Sequence, residues 1–249
     1  MKIPSILFAA FFTTLPASAD FNEMIKRGDA SEARFQYDEA LKHYLPAEQL
    51  KPTDADLLVR ISRQYALRMN DLPREADKIA SCRKGLEYAE RAVAISPNQS
   101  DPHLAVAICL GRLAPYLSAK EKIAASRNIK TSAERAIQLN PKNDYAWHIL
   151  GRWHQSLANI GGTTRVLARV IYNGLPAASN EEAVECFKKA MALKPTRLSH
   201  VIELGRTYAM MDRKAESKKY LEQGLAMPNK EKDDPETKQR GRASLKEIS

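Results

Sequence analysis

The chain has 249 residues, of which 44% are hydrophobic and 28% are charged, a balance typical of a globular protein that buries a substantial core. It has only 10 glycines beside many Ala, Leu, Glu, Lys and Arg residues, and no run of alternating β-branched residues, which favours helices and argues against strands. The formal net charge of +9 is scattered without interleaved aromatic residues, which argues against nucleic-acid binding and favours an acidic partner or peripheral contact with an anionic membrane surface.

Residues 1–19 have the pattern of a secretory signal peptide. Lys2 supplies a positive start, Ile6–Phe12 a short apolar stretch, and Ala17-Ser18-Ala19 a small-residue cleavage pattern. We expect Asp20 to begin the mature chain, which would then be exported to a periplasm or the extracellular space. The alternative is an uncleaved N-terminal anchor, although the apolar stretch is too short to span a bilayer stably.

The rest of the chain contains a repeated pattern. Its positions can be counted back from four prolines, each of which stands five residues after an alanine. Bulky or small residues recur at fixed positions eight and twelve residues before each proline. The four sets are Ala40, Tyr44, Ala47 and Pro52; Gly85, Ala89, Ala92 and Pro97; Ile129, Ala133, Ala136 and Pro141; and Ala183, Phe187, Ala190 and Pro195. Internal self-similarity of this kind predicts a solenoid of stacked helix pairs.

The fourth unit shows the pattern most completely, with Trp147-x-x-Leu150-Gly151 ahead of Ala183 and Phe187. These are the two halves of a tetratricopeptide repeat, in which small residues allow the helices to approach and aromatic residues fill the space between them. A fifth, more degenerate unit carries the same pattern at Leu204, Gly205 and Tyr208. The sequence therefore predicts an all-α, tetratricopeptide-like solenoid over residues 20–228.

Three units depart from the standard repeat length by insertions between their two helices. The first two insertions, after Tyr65 and after Leu110, are helix-compatible, so we expect them to lengthen the second helix of each unit by about three turns. The third runs from Gln155 to Glu182. Residues 229–249 form a charged tail, in which Glu236–Ile248 is either a polar capping helix or a frayed end.

The insertions and their neighbours also carry a family resemblance. The residues concerned are His103–Leu113, Lys120–Ile123, Asn128–Lys130, Trp147–Trp153, Asn173–Pro176 and Glu181–Phe187. Together they resemble the regulator of microtubule dynamics protein family, tetratricopeptide proteins with the same stretched second helices, over about residues 30 to 228. The resemblance implies a helical scaffold without catalytic activity, and association with microtubules in the eukaryotic members.

Stacked helix pairs produce a concave groove lined by the first helix of each pair, which suits an extended segment or a helix of another protein. The candidate partner-binding residues are Tyr65, Arg112, Arg152, Trp153 and Arg165. Arg152 and Trp153 fall outside the repeat signature, and a neighbouring Arg and Trp can make cation–π or anion contacts. For Trp147 and Gly151, packing between the helices is the favoured interpretation.

The turn Gly161-Gly162-Thr163-Thr164, with Arg165 nearby, has two interpretations. It opens onto a helix N-terminus that could hold an anion, although it lacks the lysine and spacing of a P-loop. Alternatively, Thr163 or Thr164 simply caps the start of a helix, which is the favoured interpretation.

The remaining reactive residue types show no catalytic or metal-binding arrangement. The five histidines lack an HExxH motif, so no metal site or cofactor is predicted. Cys82, Cys109 and Cys186 form no CxxC pair; they are either small buried core residues or, for two of them, a disulfide formed after export.

The leading hypothesis is an exported, non-catalytic scaffold for a protein partner. The alternative is a regulator that associates with microtubules or a membrane surface through its basic residues. An enzyme using Arg152, His154 and the Gly161 turn is the least favoured hypothesis.

Overall fold

A computed structural model describes residues 17–162 and 176–248 of the protein. Within these residues it contains eleven α-helices and no β-strand, which confirms the predicted all-α class. The helices are α1 (Ala17–Glu32), α2 (Tyr37–Leu50), α3 (Ala55–Arg68), α4 (Glu75–Ile95), α5 (Ser100–Leu113), α6 (Ala119–Leu139), α7 (Asp144–Ala158), α8 (Asn180–Leu193), α9 (Leu198–Met210), α10 (Lys214–Ala226) and α11 (Asp234–Ile248). None of these helices is both long and apolar enough to span a membrane.

Two sequence predictions fall mainly outside the described residues. Most of the predicted signal peptide, residues 1–16, lies outside them, while Ala17 opens α1. Thr163, Thr164 and the candidate partner-binding residue Arg165 also lie outside them. The predicted cleavage site and the anion site at the Gly161 turn therefore stay predictions.

The helices pair in sequence order into five hairpins. Helix α1 packs on α2, α3 on α4, α5 on α6, α7 on α8 and α9 on α10. The second helix of each hairpin also contacts the first helix of the next, so the hairpins stack into one continuous solenoid. This arrangement confirms the predicted tetratricopeptide-like architecture, because each unit buries its apolar face only by stacking on its neighbours.

The four repeat prolines end the second helices in one conformation. Helices α2, α4, α6 and α8 each stop two residues before the proline, and the residue between leaves helical geometry, with φ from −143° to −130° and ψ from 67° to 90°. This is expected because a proline clashes with a helical residue immediately before it. In all four caps that residue donates its N–H to the carbonyl of the repeat alanine: Ala47, Ala92, Ala136 or Ala190.

The small residues of the pattern lie where the helices of a hairpin approach most closely. A Cβ added at Gly151 would lie 2.9 Å from the Phe187 ring, which is itself completely buried. Trp147, in contrast, is only half-buried: its indole N–H donates to the Pro141 carbonyl, and the Lys189 ammonium lies over its ring. Phe187 therefore fills the space between helices, and Trp147 covers the edge of the hairpin.

The predicted lengthening of the central repeats is present, but it is seven residues, about two turns, and not the three turns expected. Helices α4 and α6 each have 21 residues, whereas α2 and α8 have 14. The extra turns lie at their N-terminal ends, and a capping box between Ser118 and Glu121 begins α6. Short 3-10 turns, Met69–Asp71 and Ala114–Tyr116, lead from the preceding helices into these extensions.

The chain then returns across the stack. After α10, the residues 230–234, here called the return loop, reach back to the 3-10 turn of the second hairpin. Helix α11 begins within this loop and packs on α9 and α10. Its Leu245 and Ile248 contact the apolar cluster of Leu198, Ile202 and Leu221, so α11 covers the last hairpin.

Candidate binding cavity on the inner face

A cavity of about 790 Å³ lies between the first helices of the last three hairpins and the C-terminal residues. Helices α5, α7 and α9 supply one side, and the N-terminal half of α6 supplies another. The return loop and the start of α11 close it. The residues that lengthen α6, from Ala119 to Ser126, form part of the wall, so the insertion recognised in the sequence builds the cavity.

One part of the cavity is apolar. It is lined by five isoleucines: Ile108, Ile123, Ile129, Ile149 and Ile160. Trp153 forms the adjoining wall, where it is only 3% exposed and donates its indole N–H to the carbonyl (2.8 Å) and hydroxyl (3.0 Å) of Ser126. Trp153 is thus a fixed core side chain with one face on the cavity, not an exposed contact residue.

Charged side chains of both signs also line the cavity. Arg112, from α5, donates to Asp233 of the return loop (2.9 Å) and to Asn70 (3.4 Å). Arg152, one hairpin further on, lies 2.7 Å from the Glu203 carboxylate. This ion pair engages the Arg152 guanidinium, whereas the hydroxyl of the cavity residue Ser199 has no hydrogen-bond partner within the described part of the chain.

Glu203 is the centre of a buried charge cluster. Its side chain is 1% exposed and is surrounded by Arg152, Arg206 and Arg240, with Arg206 donating to both carboxylate oxygens at 3.0 and 2.8 Å. Burial raises the pKa of Glu203, but the three guanidiniums outweigh burial and bring the pKa down to about 2. The carboxylate is therefore charged at all ordinary pH values and fixes the positions of the arginines.

A chain of polar contacts connects the cavity floor to the return loop. His148 and His200 meet through their Nδ1 atoms at 3.0 Å, and His200 Nε2 lies 2.9 Å from the Asp144 carboxylate. Arg197 bonds to Asp144 on one side and to Glu231 of the return loop on the other. Because Asp144 accepts from His200 Nε2, a neutral His200 must accept at Nδ1 and His148 must donate.

Burial holds both of these histidines in the neutral form. Burial lowers the pKa of His148 well below its ordinary value, and the positive charge that His200 can carry lowers it further. Burial also lowers the pKa of His200, against the opposing effect of the hydrogen bond to Asp144. Two charged imidazoles would place two N–H groups against each other at the Nδ1 contact, so the geometry requires at least one of the two rings to be neutral.

The sequence candidates are partly brought together. Arg112, Arg152 and Trp153 line the same cavity, although they lie on two different hairpins. Tyr65 does not line it: this half-buried side chain stacks on Tyr88 with ring centroids 5.8 Å apart. His154, the proposed catalytic histidine of the least favoured hypothesis, lies 3.0 Å from Glu182 and is also outside the cavity lining.

Several site residues were missed in the sequence, chiefly Glu203, Tyr145, His148, His200 and Asp233. One signal was available for Glu203, since it is a lone charge within the apolar run Val201-Ile202-Glu203-Leu204. An isolated charge on a buried helix face requires partners, which here are arginines.

The cysteines and the metal-binding residue types form no site in the described ranges. Cys82, Cys109 and Cys186 are buried free thiols, and burial is the main cause that raises the pKa of Cys186 to about 12. Residues 17–162 and 176–248 contain no group of three His, Cys, Asp or Glu side chains able to hold a metal ion.

The fold and the cavity define a helical-repeat scaffold of the tetratricopeptide type. Three solved structures share this fold: a thermophilic tetratricopeptide protein of Thermus thermophilus (TM-score 0.67, 16% identity, 90% of this chain and 98% of that one); PilF of Pseudomonas aeruginosa (0.59, 12%, 94% and 90%); and YrrB, a tetratricopeptide protein with an unusual peptide-binding site (0.51, 13%, 92% and 98%).

The family follows from the sequence comparison. The model of the family described as Regulator of microtubule dynamics protein 1-3 matches residues 24–249, and the chain belongs to this family. Regulator of microtubule dynamics protein 1 of Mus musculus is 30% identical over 201 residues, covering 80% of this chain and 65% of the relative. Regulator of microtubule dynamics protein 3 of Xenopus laevis is 24% identical over 233 residues, covering 92% and 50%. The chain thus spans less than two thirds of the length of these curated relatives.

Proposed function

We propose that this protein is a non-catalytic scaffold that binds an extended segment or a helix of a partner protein in its inner cavity. The observation that carries the proposal is the cavity itself, in which an isoleucine-lined wall adjoins the half-buried guanidiniums of Arg112, Arg152 and Arg240. A site that combines an apolar wall with a few oriented polar groups can bury side chains of a ligand and fix its direction.

The architecture supports this proposal. Each first helix presents a row of side chains to the inner face, so a partner segment laid along α5, α7 and α9 would contact several repeats at once. YrrB, which has a peptide-binding site, is a protein of the same fold, and this motivates the choice of a protein segment as the ligand.

The test fills the cavity without disturbing the helix that lines it. Gly111 lines the cavity, and an added Cβ there meets no atom within 4 Å, so Gly111→Trp places an indole in the open space. Glu222→Trp, at an exposed position of α10, is the matched control. Native extracts are passed over immobilised wild type and both variants, and captured proteins are identified by mass spectrometry.

We expect a partner that wild type and Glu222→Trp retain and that Gly111→Trp loses. Identical capture by all three proteins would show that the cavity is not the binding site. Circular dichroism of the Gly111→Trp variant separates a filled cavity from a disturbed fold.

We further propose that the scaffold works outside the cytoplasm after cleavage behind Ala19. Support comes from the charged, apolar and small-residue stretches of residues 1–19. The test is fractionation of native cells, followed by sequencing of the N-terminus. A mature chain that begins at Asp20 in the exported fraction is expected; a chain that keeps Met1 in the cytoplasm would contradict export.

The second candidate function is association with microtubules or with an anionic membrane surface. The net charge of +9 and the name of the relatives favour it. Co-sedimentation with microtubules, and separately with phosphatidylserine vesicles, tests it at increasing salt. Binding that weakens with salt and is unchanged in Gly111→Trp would favour this function over the cavity.

A further inference from the structure

The return loop connects the last hairpin to the second and third hairpins along the cavity. Asp233 accepts hydrogen bonds from Asn70 (3.0 Å) and from Arg112 (2.9 Å), and Lys232 pairs with Asp71. The loop thus places a carboxylate on a cationic residue of the cavity.

The loop has a defined shape that points its acids inward. The Asp234 carboxylate is 3% exposed and accepts from the backbone N–H groups of Lys230 (2.7 Å) and Glu231 (2.8 Å). With the loop fixed in this way, Glu231 receives Arg197 at 2.6 Å while Asp233 receives Arg112. Glu231 and Asp233, on either side of Lys232, therefore pair with two arginines from different hairpins.

The contacts that hold the loop differ from those that hold α11. The loop is held by ion pairs in which the acidic side chains are 36% and 40% exposed and the arginines 19% and 15%, so water reaches the acids and the pairs can open. Helix α11 is held by Leu245 and Ile248 on a buried apolar cluster, and its first residue, Asp234, is buried. Residues 230–233 can therefore leave the cavity while α11 stays docked.

Departure of the loop would leave an excess of positive charge around the cavity. Its basic lining residues are Arg112, Lys122, Arg152 and Arg240. Without Glu231 and Asp233, the acidic lining residues within the described chain are Glu203, Asp234 and Glu236. A half-buried guanidinium left without its carboxylate strongly favours a replacement anion.

We propose that the return loop is a built-in competitor, and that the partner displaces it with an acidic segment. In the bound state, carboxylates of that segment take the places of Asp233 on Arg112 and of Glu231 on Arg197. This inference rests on the function proposed above. It adds that the partner segment is acidic and that the return loop regulates its access to the cavity.

The test measures binding of an acidic probe to full-length protein by fluorescence anisotropy. The probe is a fluorescein-labelled peptide with the sequence of residues 228–237; in the matched control peptide Gln and Asn replace Glu231 and Asp233. The proteins are wild type, Glu231→Gln/Asp233→Asn, the same pair with Arg112→Gln, and Glu185→Gln/Glu222→Gln, which removes two exposed acids away from the cavity.

If the loop occupies the site for roughly nine-tenths of the time, releasing it should tighten probe binding about tenfold. We therefore expect Glu231→Gln/Asp233→Asn to bind the acidic probe about tenfold more tightly than wild type, and the Glu185→Gln/Glu222→Gln control to match wild type. Adding Arg112→Gln should abolish the gain, and the control peptide should bind none of the proteins.

If wild type and Glu231→Gln/Asp233→Asn bind the probe with equal affinity, the return loop is not a competitor for the site. If the two peptides bind with equal affinity, the site does not select an acidic partner. Both results are independent of the capture experiment with Gly111→Trp, which tests the proposed function separately. Hydrogen exchange gives a second measurement in folded protein: amides of residues 230–233 should exchange faster in Glu231→Gln/Asp233→Asn than in wild type, while those of residues 238–248 in α11 should not change.

Discussion

The first two hairpins and the last three share one repeat pattern but differ in the polarity of the side chains that they bury. In the first region the largest fully buried side chains are mostly apolar, among them Tyr44, Leu57, Leu58 and Ile61, and the ion pairs lie at the surface. In the second region His200 and Glu203 are completely or almost completely buried, and a cavity opens beside them. One repeat pattern thus supports either a packed stack or a polar site, depending on which residues occupy the inner face of the first helices.

Glu203→Gln should produce the largest effect and give the sharpest contrast between the regions. It leaves the guanidiniums of Arg152 and Arg206 without a buried carboxylate, so we expect a loss of about 3–5 kcal/mol in the free energy of unfolding. Urea denaturation followed by circular dichroism measures it, with Glu222→Gln on exposed α10 as the unchanged control. A loss below about 1 kcal/mol would show that the buried cluster adds no more than a surface pair.

Acid should destabilise the second region through its paired histidines. Above about pH 6.5 His148 and His200 are neutral in folded and unfolded chains alike; below it the unfolded chain takes up protons that the folded chain, with lowered pKa values, does not. Each histidine then costs up to about 1.4 kcal/mol of unfolding free energy per pH unit.

The groups that face the two rings are Asp144 and Arg197 beside His200, and Glu203 and Arg152 beside His148. Urea titrations between pH 7.5 and 5.5 measure the slope, and His148→Asn should reduce it by about a third, because two histidines with lowered pKa values, His154 and His200, remain. An unchanged slope in this variant would mean that other groups cause the acid sensitivity.

Replacing one glycine in each region by alanine compares the effect on stability of a Cβ in a closely packed site with that of a Cβ in open space. A Cβ at Gly28 of α1 would lie 2.2 Å from the Tyr44 ring, so Gly28→Ala should destabilise the fold by about 1–3 kcal/mol. At Gly111 of α5 an added Cβ meets nothing, so Gly111→Ala should stabilise by up to about 1 kcal/mol through helix propensity. Thermal unfolding of the two variants measures both, and shifts of the same sign would contradict the comparison.

The smallest effect is expected at the surface ion pairs of the first region. Arg60 and Asp29 are partly exposed, at 33% and 45%, and Asp29 keeps the hydroxyl of Tyr44 as a donor when Arg60 is replaced. Arg60→Gln should therefore cost less than about 1 kcal/mol. A loss as large as that expected for Glu203→Gln would erase the distinction between the two interiors.

Most of the fold could be predicted because its signals are local. Repeat prolines end helices within two residues, and small residues such as Ala183 and Gly151 mark the close approach inside one hairpin. The site was predicted less completely. Arg112, Arg152 and Trp153 were chosen from the first helices, whereas Tyr65 packs on Tyr88 outside the cavity, because a repeat position gives the face of a helix but not the neighbours that cover it.

By itself the sequence determined the pairing of the repeat helices and the ends of the second helices at the prolines, since a helix period and a proline stop act over a few residues. It also determined the lengthening of α4 and α6. Only the tertiary structure decided that the lengthened α6 walls a cavity, that Glu203 gathers three arginines, and that Asp233 reaches back to Arg112. Those contacts join polar groups far apart in the chain, and a charged side chain gives no periodic signal that identifies its partner.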